Sequence, residues 1–526
     1  MIFSALTLVS RFLGLARDLV ITAKMGASQT IAADAYYTAL AFPNLFRRMF
    51  AEGAFAASFV PEYAKRLEGE GQAAADRYAA DALASMAAVT VALTVLCQLA
   101  MPWIMRVYSY GFLATPAKFK LAVILTQITM PYLPLVVIAS LFAGVLTARG
   151  RFVIYGLYPA VQNVVMLAAV LPQKDSVHAA YAASWAAVVS GVMQAALCWW
   201  GAHRAGARIH PRHLRFTPDM HVLARRMLPG IVASSATQIN LFVSAMLASS
   251  VAGMRTWLNV AERFYQLPLS LVGTAIGVAL LPRLAQAFQR GDRGDAQAAS
   301  DQGLVFALAL SLPAAAALMA MPSYLVEGLF TRGAFTRQDA AACAMILFHY
   351  GWGLPAFVLV KILQPAFFAR GDTITPMRYS MISVGVNIAL GVTLFHTLGF
   401  QGIAIATSLA TWITVGQMAL KLARIEAYRP SALAWTRMGR VAAASGALGA
   451  LLLAATHMRP QLEALIATAP LVGGLAKEMG VLAVTAAGAA LYPALLFACG
   501  GVTPAEVRAA FKRRNGLPVA PDPDLP

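Results

Sequence analysis

Apolar stretches of about twenty residues, separated by short charged or Gly/Pro-rich breaks, run through nearly the whole 526-residue chain. A hydrocarbon core of ~30 Å is spanned by ~20 helical residues, so this period of alternation predicts membrane-crossing helices. Fourteen are predicted, with cores at Phe3–Met25, Ala33–Val60, Leu83–Val107, Leu121–Thr147, Phe152–Leu171, Ala179–Trp200, Met227–Val251, Trp257–Leu281, Gly303–Leu325, Ala340–Phe368, Met377–Leu398, Gly402–Leu422, Val441–Ala455 and Val481–Phe497. Charges weaken the first two, and the last two are short. The expected fold class is an all-α polytopic membrane protein with 14 transmembrane helices.

Composition excludes a soluble domain. Apolar residues make up 59% of the chain, charged ones only 12%, and mean hydropathy is +0.66. The placement of charge then sets orientation. If the N-terminus is cytoplasmic, and Lys24, Arg106, Arg378 and Lys421 at the span ends are counted with the adjoining loops, the loops after even-numbered spans and the C-terminal tail hold 25 of the 41 Lys and Arg residues, the opposite side holds 10, and six lie within spans. Both termini are therefore expected inside. The same bias accounts for the net charge of +18 through contact with anionic membrane lipids, so no nucleic-acid partner is expected. The N-terminus lacks a basic leader followed by an uninterrupted apolar core, so the first span is expected to be retained. Cys97, Cys198, Cys343 and Cys499 lie in or beside apolar spans without CxxC spacing, and no disulfide or metal site is expected.

A repeat organises the chain. Ala148-Arg149-Gly150 after span four recurs as Ala369-Arg370-Gly371 after span ten, and Pro61 recurs as Pro282, both at an offset of 221 residues. Six spans is an even number, so both copies insert with the same orientation and are related by an axis along the membrane normal. The expected organisation is an N-terminal six-helix lobe (1–204), a C-terminal six-helix lobe (221–427), two further helices (438–500), and a cytoplasmic tail (501–526). Within the tail, Thr503-Pro504-Ala505-Glu506 reads as a capping box opening a short basic helix.

The candidate chemistry lies inside the apolar spans. Arg11 and Arg17 occupy the first, and Arg47 and Arg48 the second. A guanidinium stays charged, and placing one at the bilayer centre costs ~2.5–3.5 kcal/mol on insertion scales. Such residues predict a wet cavity and an anion to meet. Asp18, Asp34 and Glu52 crowd the same two spans, with Asn44 beside a kink expected at Pro43; the second half offers chiefly Glu262 and Arg263. A purely structural ion-pair network is the competing reading of the set. Asp18 and Glu52 are expected to position arginines, and Arg48 divides evenly between structural and functional roles. Lys361 reads as snorkelling or as lining the cleft. His349 and His396 are expected to pack or to sit at the interface, and Asn240 and Asn387 to bond between helices.

The segment Ser10-Arg11 through Arg17-Asp18, the run Asn44-Leu45-Phe46-Arg47-Arg48-Met49-Phe50-Ala51-Glu52-Gly53-Ala54-Phe55, and Ala261-Glu262-Arg263-Phe264-Tyr265-Gln266-Leu267-Pro268 closely resemble the signature of the MurJ (MviN) family of lipid II flippases. That resemblance implies the fold of the MOP exporter superfamily and a substrate, undecaprenyl diphosphate bearing the disaccharide-pentapeptide unit of peptidoglycan. It also implies alternating access in a bacterial inner membrane, with Arg11, Arg17, Arg47 and Arg263 holding the diphosphate. Asp18, Asp34, Asn44, Arg48, Glu52, Glu262 and Gln266 support the cavity. No catalytic residue and no cofactor are expected, with coupling to membrane potential or a monovalent cation left open. A monomer, working near peptidoglycan synthesis enzymes, is expected. Two departures stand out: Glu262 replaces a frequent Asp, and the chain starts at an unusual point of span one, so its first turn is expected to be missing or its start internal. A drug or polysaccharide-unit exporter of the same superfamily is the alternative. A membrane glycosyltransferase would need a catalytic carboxylate on a larger loop than any here.

Overall fold

The computed structural model describes residues 2–50, 54–210, 217–290, 293–425, 428–468, 475–503 and 506. Among these residues the regular structure is helical throughout: α1 (Ile2–Met25), α2 (Ala32–Phe50), α3 (Ala54–Gly69), α4 (Gln72–Tyr108), α5 (Pro116–Thr129), α6 (Tyr132–Ala148), α7 (Phe152–Val170), α8 (Ser176–Arg204), α9 (Pro218–Ala248), α10 (Met254–Gln289), α11 (Arg293–Ala320), α12 (Pro322–Phe330), α13 (Arg337–Phe368), α14 (Ile374–Leu398), α15 (Gln401–Arg424), α16 (Ala432–His457), α17 (Arg459–Ala467) and α18 (Ala476–Ala498). Each of the fourteen expected spans falls on one helix or a consecutive pair. Ten of them are long and apolar enough to cross a membrane by length and composition. Their outer faces carry large apolar side chains such as Leu96, Leu99 and Trp103, with Leu99 72% exposed. A stripe of that kind is tolerated against lipid, not water.

Two prolines free backbone carbonyls, and neighbouring helices satisfy them. Pro131 separates α5 from α6 within span four and leaves the Gln127 carbonyl without its helical donor. The Gln98 amide of α4 donates to that carbonyl at 2.8 Å, and the Gln127 amide returns a bond to the Gln98 carbonyl at 2.9 Å. Pro43 likewise frees the Ala39 carbonyl, which accepts from the Thr129 hydroxyl at 2.7 Å. Satisfied in this way, α2 continues as helix through Pro43. Asn44 therefore has a different job: its amide donates to the Leu40 carbonyl at 2.9 Å.

Two compact units result, one built on residues up to Thr256 with Arg332–Thr336, the other on Trp257–Thr331 with Arg337–Pro518. In the first, α6 and α7 pack on α8, α1 on α7, and α2 on α5; α9 packs on α2, α3 and α4. The seventh span thus belongs to the first unit by its contacts, although the repeat begins the second lobe at 221. In the second unit α11 packs on α13 and α16, α15 on α13 and α14, and α18 on α12 and α16. Spans thirteen and fourteen are therefore integral to it, further tied by Arg459, which pairs with Glu327 and Glu463 at 2.7 Å each.

The repeat is visible in hydrogen bonds. Gly150 and Gly371 adopt φ of 75° and 76°, a left-handed conformation that favours glycine. After α6, Arg151 N–H donates to the Leu146 carbonyl at 2.9 Å and Gly150 N–H to Thr147 at 3.1 Å; after α13, Asp372 N–H donates to Phe367 at 3.1 Å and Gly371 N–H to Phe368 at 2.9 Å. Identical helix stops recur 221 residues apart. The capping box also forms, with Thr503 N–H donating to Glu506 at 2.9 Å and Glu506 N–H to the Thr503 hydroxyl at 3.3 Å. The basic helix expected beyond it lies outside the described residues.

The first turns of α9 are fastened to α3 by charge. Arg66 grips Asp219 with two bonds of 3.1 and 2.8 Å, and Arg226 reaches Glu62 at 2.8 Å. The hydrogen bond from Arg226 holds the Glu62 carboxyl below the usual carboxylate range, helped by Arg66 and opposed by burial. A depressed folded value means the pair stabilises above the unfolded value of ~4.3 and stops doing so as pH falls through the folded one. Arg226 is exposed, so Glu62→Gln is expected to cost less than ~1 kcal/mol near neutrality. Thermal unfolding of the purified protein checks this: the gap between wild type and variant should close under acid.

Candidate functional site: intramembrane arginines

The first span's arginines are treated differently by their surroundings. Arg17, only 9% exposed, donates twice to Asp18 Oδ1, from Nε at 2.9 Å and Nη2 at 2.7 Å. Its third bond, from Nη1, goes to Asn163 Oδ1 of α7 at 3.0 Å, and the Asn163 amide donates to the Ser10 carbonyl at 3.0 Å. Asn163 thus spans seven residues of α1 and aims the guanidinium. Asp18 has the positioning role expected of it. Arg11, one and a half turns earlier, is half-buried.

On α2, Arg47 is half-buried and donates from Nε to Asn44 Oδ1 at 2.9 Å. Asn44 is itself fixed to the helix backbone, so it orients the arginine one turn on. Arg48, rotated about 100° from Arg47, is exposed. Glu52 lies outside the described residues. In the second unit Glu262, Arg263 and Gln266 are half-buried on α10, where the Gln266 amide donates to Glu262 at 3.4 Å. Tyr265 between them packs on Tyr350 and Phe357 of α13, with ring centroids 4.9 and 5.2 Å away.

Asp34, grouped above with the arginines, stands elsewhere. Its fully buried carboxylate accepts from Lys118 Nζ at 2.7 Å, Gly253 N–H at 2.8 Å, Thr256 N–H at 3.1 Å and the Thr256 hydroxyl at 2.8 Å. Four donors saturate it, so it holds backbone and lysine together and is closed to an anionic ligand. Beside it, buried Arg255 donates to the Thr38 hydroxyl and to the Ala245 and Tyr108 carbonyls, the last two at 2.7 Å. Those carbonyls end α9 and α4, where a cation is electrostatically favoured.

Lys118, Arg255 and Asp339 carry buried polar structure that single-residue reading missed. The repeat held the signal: 221 residues separate Asp34 from Arg255, and Lys118 from Asp339, so the two copies carry opposite charges at matching positions. Asp339 accepts from the Trp257 indole at 3.0 Å. Another missed knot joins Arg149, Tyr63 and Asp76, with Arg149 donating to the Tyr63 hydroxyl at 2.8 Å and to Asp76 at 3.2 Å. His349 packs as expected: the Trp352 indole, a donor only, lies 3.3 Å from Nδ1, which places the ring proton on Nε2 toward Gln401 at 3.3 Å. His396 is exposed, Asn240 half-buried and Asn387 buried.

Guanidinium groups are planar, charged donors suited to phosphate and carboxylate oxygens, and amides orient two of them here, Arg17 and Arg47. Comparison with known proteins gives the chemistry a context. A family model described as Lipid II flippase MurJ matches residues 21–469. A probable lipid II flippase of Rhizobium tropici is 36% identical over 524 residues, covering 98% of this chain and 96% of the relative. The lipid II flippase of Burkholderia cenocepacia is 32% identical over 439 residues, covering 81% and 84%. Among solved structures, a lipid II flippase in an inward closed conformation superposes with a TM-score of 0.72 at 21% identity, covering 94% of this chain and 99% of that one. An inward-facing multidrug transporter of the MATE family within the MOP superfamily reaches 0.66 at 14% identity, covering 81% and 98%. Likeness to these structures establishes the fold alone; identity along the length of the curated relatives establishes more. The chain belongs to the MurJ family of lipid II flippases.

Proposed function

We propose that this protein moves lipid II, undecaprenyl diphosphate carrying the disaccharide-pentapeptide unit, from the cytoplasmic to the periplasmic leaflet of a bacterial inner membrane. Family membership supports the substrate, and the excess of Lys and Arg in the even-numbered loops supports cytoplasmic termini. The observation that carries the reading is the set Arg11, Arg17, Arg47 and Arg263 on α1, α2 and α10, helices that the sequence reads as spans. There the charge of a guanidinium is costly and an anionic cargo would answer it. A diphosphate carries roughly two negative charges and oxygens spaced for bidentate guanidinium contact. Unaided passage of that group through hydrocarbon is prohibitive.

The mechanism we propose is alternating access. The headgroup enters from the cytoplasmic side, the arginines take the diphosphate, the prenyl tail stays in lipid, and the two helical units rock to expose the headgroup on the far side. Arg17, paired with Asp18, offers the diphosphate a partly neutralised guanidinium. The protein acts as a transporter without covalent chemistry, driven by membrane potential or a cation. Expression in a cell depleted of its own flippase tests the function: growth and shape should be restored, while a drug exporter of the same fold would restore neither.

A further inference from the structure

α13 is the most enclosed of the ten candidate spans, with 67% of its most apolar window buried. Beyond Ala341, Met345 and Phe348 in its first half, one strip in its second half is open. Phe357, Val360, Lys361, Gln364 and Phe368 recur at helical spacing and are partly or fully exposed, while Leu354, Val358, Leu359, Ile362, Leu363, Pro365 and Phe367 around them are buried. Lys361 and Gln364, neighbours at i and i+3, make no hydrogen bond or ion pair to any described residue. Phe357, one turn before Lys361, touches Tyr265, which lies between Arg263 and Gln266 on α10. The strip therefore adjoins α10, the helix of the second unit that carries Arg263.

A strip turned to lipid would be apolar, and an unpaired ammonium in a membrane helix marks a ligand path more often than a packing device. Lys361 lies seven residues, about 10 Å, from the end of α13, so its stem reaches the headgroup region as well as the interior. We propose that Lys361 and Gln364 form a second contact for the transported lipid, taking an anionic oxygen group as a point charge and an amide donor beyond the guanidinium of Arg263. The inference rests on the reading of the chain as a lipid II flippase. The oxygen group belongs either to the diphosphate or to a peptide carboxylate of the headgroup.

Binding of undecaprenyl diphosphate, and separately of lipid II, to the purified full chain in detergent tests it. Lys361→Met should weaken binding about tenfold, the scale of one charge-assisted hydrogen bond, with Lys361→Arg within about twofold of wild type. Weakening with both lipids assigns the contact to the diphosphate, and weakening with lipid II alone assigns it to a carboxylate. Wild-type binding of both lipids by Lys361→Met overturns the inference and leaves the lysine as a snorkelling side chain. Equal weakening in the Arg variant overturns it too, since charge would then be immaterial. Arg263→Ala in the same assay separates the failures: if it weakens binding while Lys361→Met does not, the flippase reading stands without this contact.

Discussion

Replacing Asp34 with Ala is expected to strip the protein from the membrane fraction and destabilise it by about 3–5 kcal/mol, the range for orphaning a buried charge. The removed carboxylate serves four donors at once, so Lys118 Nζ, two backbone N–H groups and the Thr256 hydroxyl all lose their partner. No water-exposed route compensates them, since Asp34 and Thr256 have no accessible surface and Lys118 is 6% exposed. Exchanging the charges, Asp34→Lys with Lys118→Asp, should fail to rescue. It preserves the pair but presents an ammonium to the N–H groups of Gly253 and Thr256, which need an acceptor. Membrane abundance by immunoblot and thermal aggregation of the purified protein check both variants, and a rescue by the exchange would reduce Asp34 to a simple ion-pair partner.

Arg47→Ala and Arg263→Ala are expected to behave in the opposite way, abolishing growth support while leaving abundance near normal. Both side chains are half-buried, and the bond from Arg47 to Asn44 is local to one helix turn. A charge-assisted hydrogen bond lost from a ligand is worth about 1.5–3 kcal/mol, or about ten- to a hundredfold in affinity. Lysine should restore part of this, because an ammonium replaces the charge but not the planar fork. Arg17→Ala should lose both function and some abundance, since it removes the guanidinium that donates twice to buried Asp18. Comparing the three separates holding a ligand from holding the helices.

Much of this architecture is legible in the sequence because membrane helices obey a local rule: about twenty apolar residues between polar breaks make a span wherever they occur. The fourteen stretches, the offset of 221 residues and the Thr503–Glu506 box all follow from near neighbours or exact spacing. Proline was half legible. Pro43 announces a freed carbonyl, but only the fold reveals that Thr129 rather than Asn44 meets it. Arg17 and Asp18 are adjacent, so their pairing needs little context, whereas Asn163 joins them from 146 residues away. The role of Asp34 was hidden for the same reason. Its partners lie 84, 219 and 222 residues distant, and a carboxylate near intramembrane arginines reads as part of their cluster until the packing shows who reaches it.

The central claim, that guanidinium groups in these helices carry a lipid diphosphate across the membrane, is tested most directly by the accessibility of lipid II at the outer leaflet of flippase-depleted cells. With the wild-type chain, an external enzyme that cleaves lipid II should release its headgroup; with Arg47→Ala or Arg263→Ala at equal abundance, the lipid should stay protected inside. Full accessibility in both variants would contradict the account, and the arginines would then be no more than part of the scaffold.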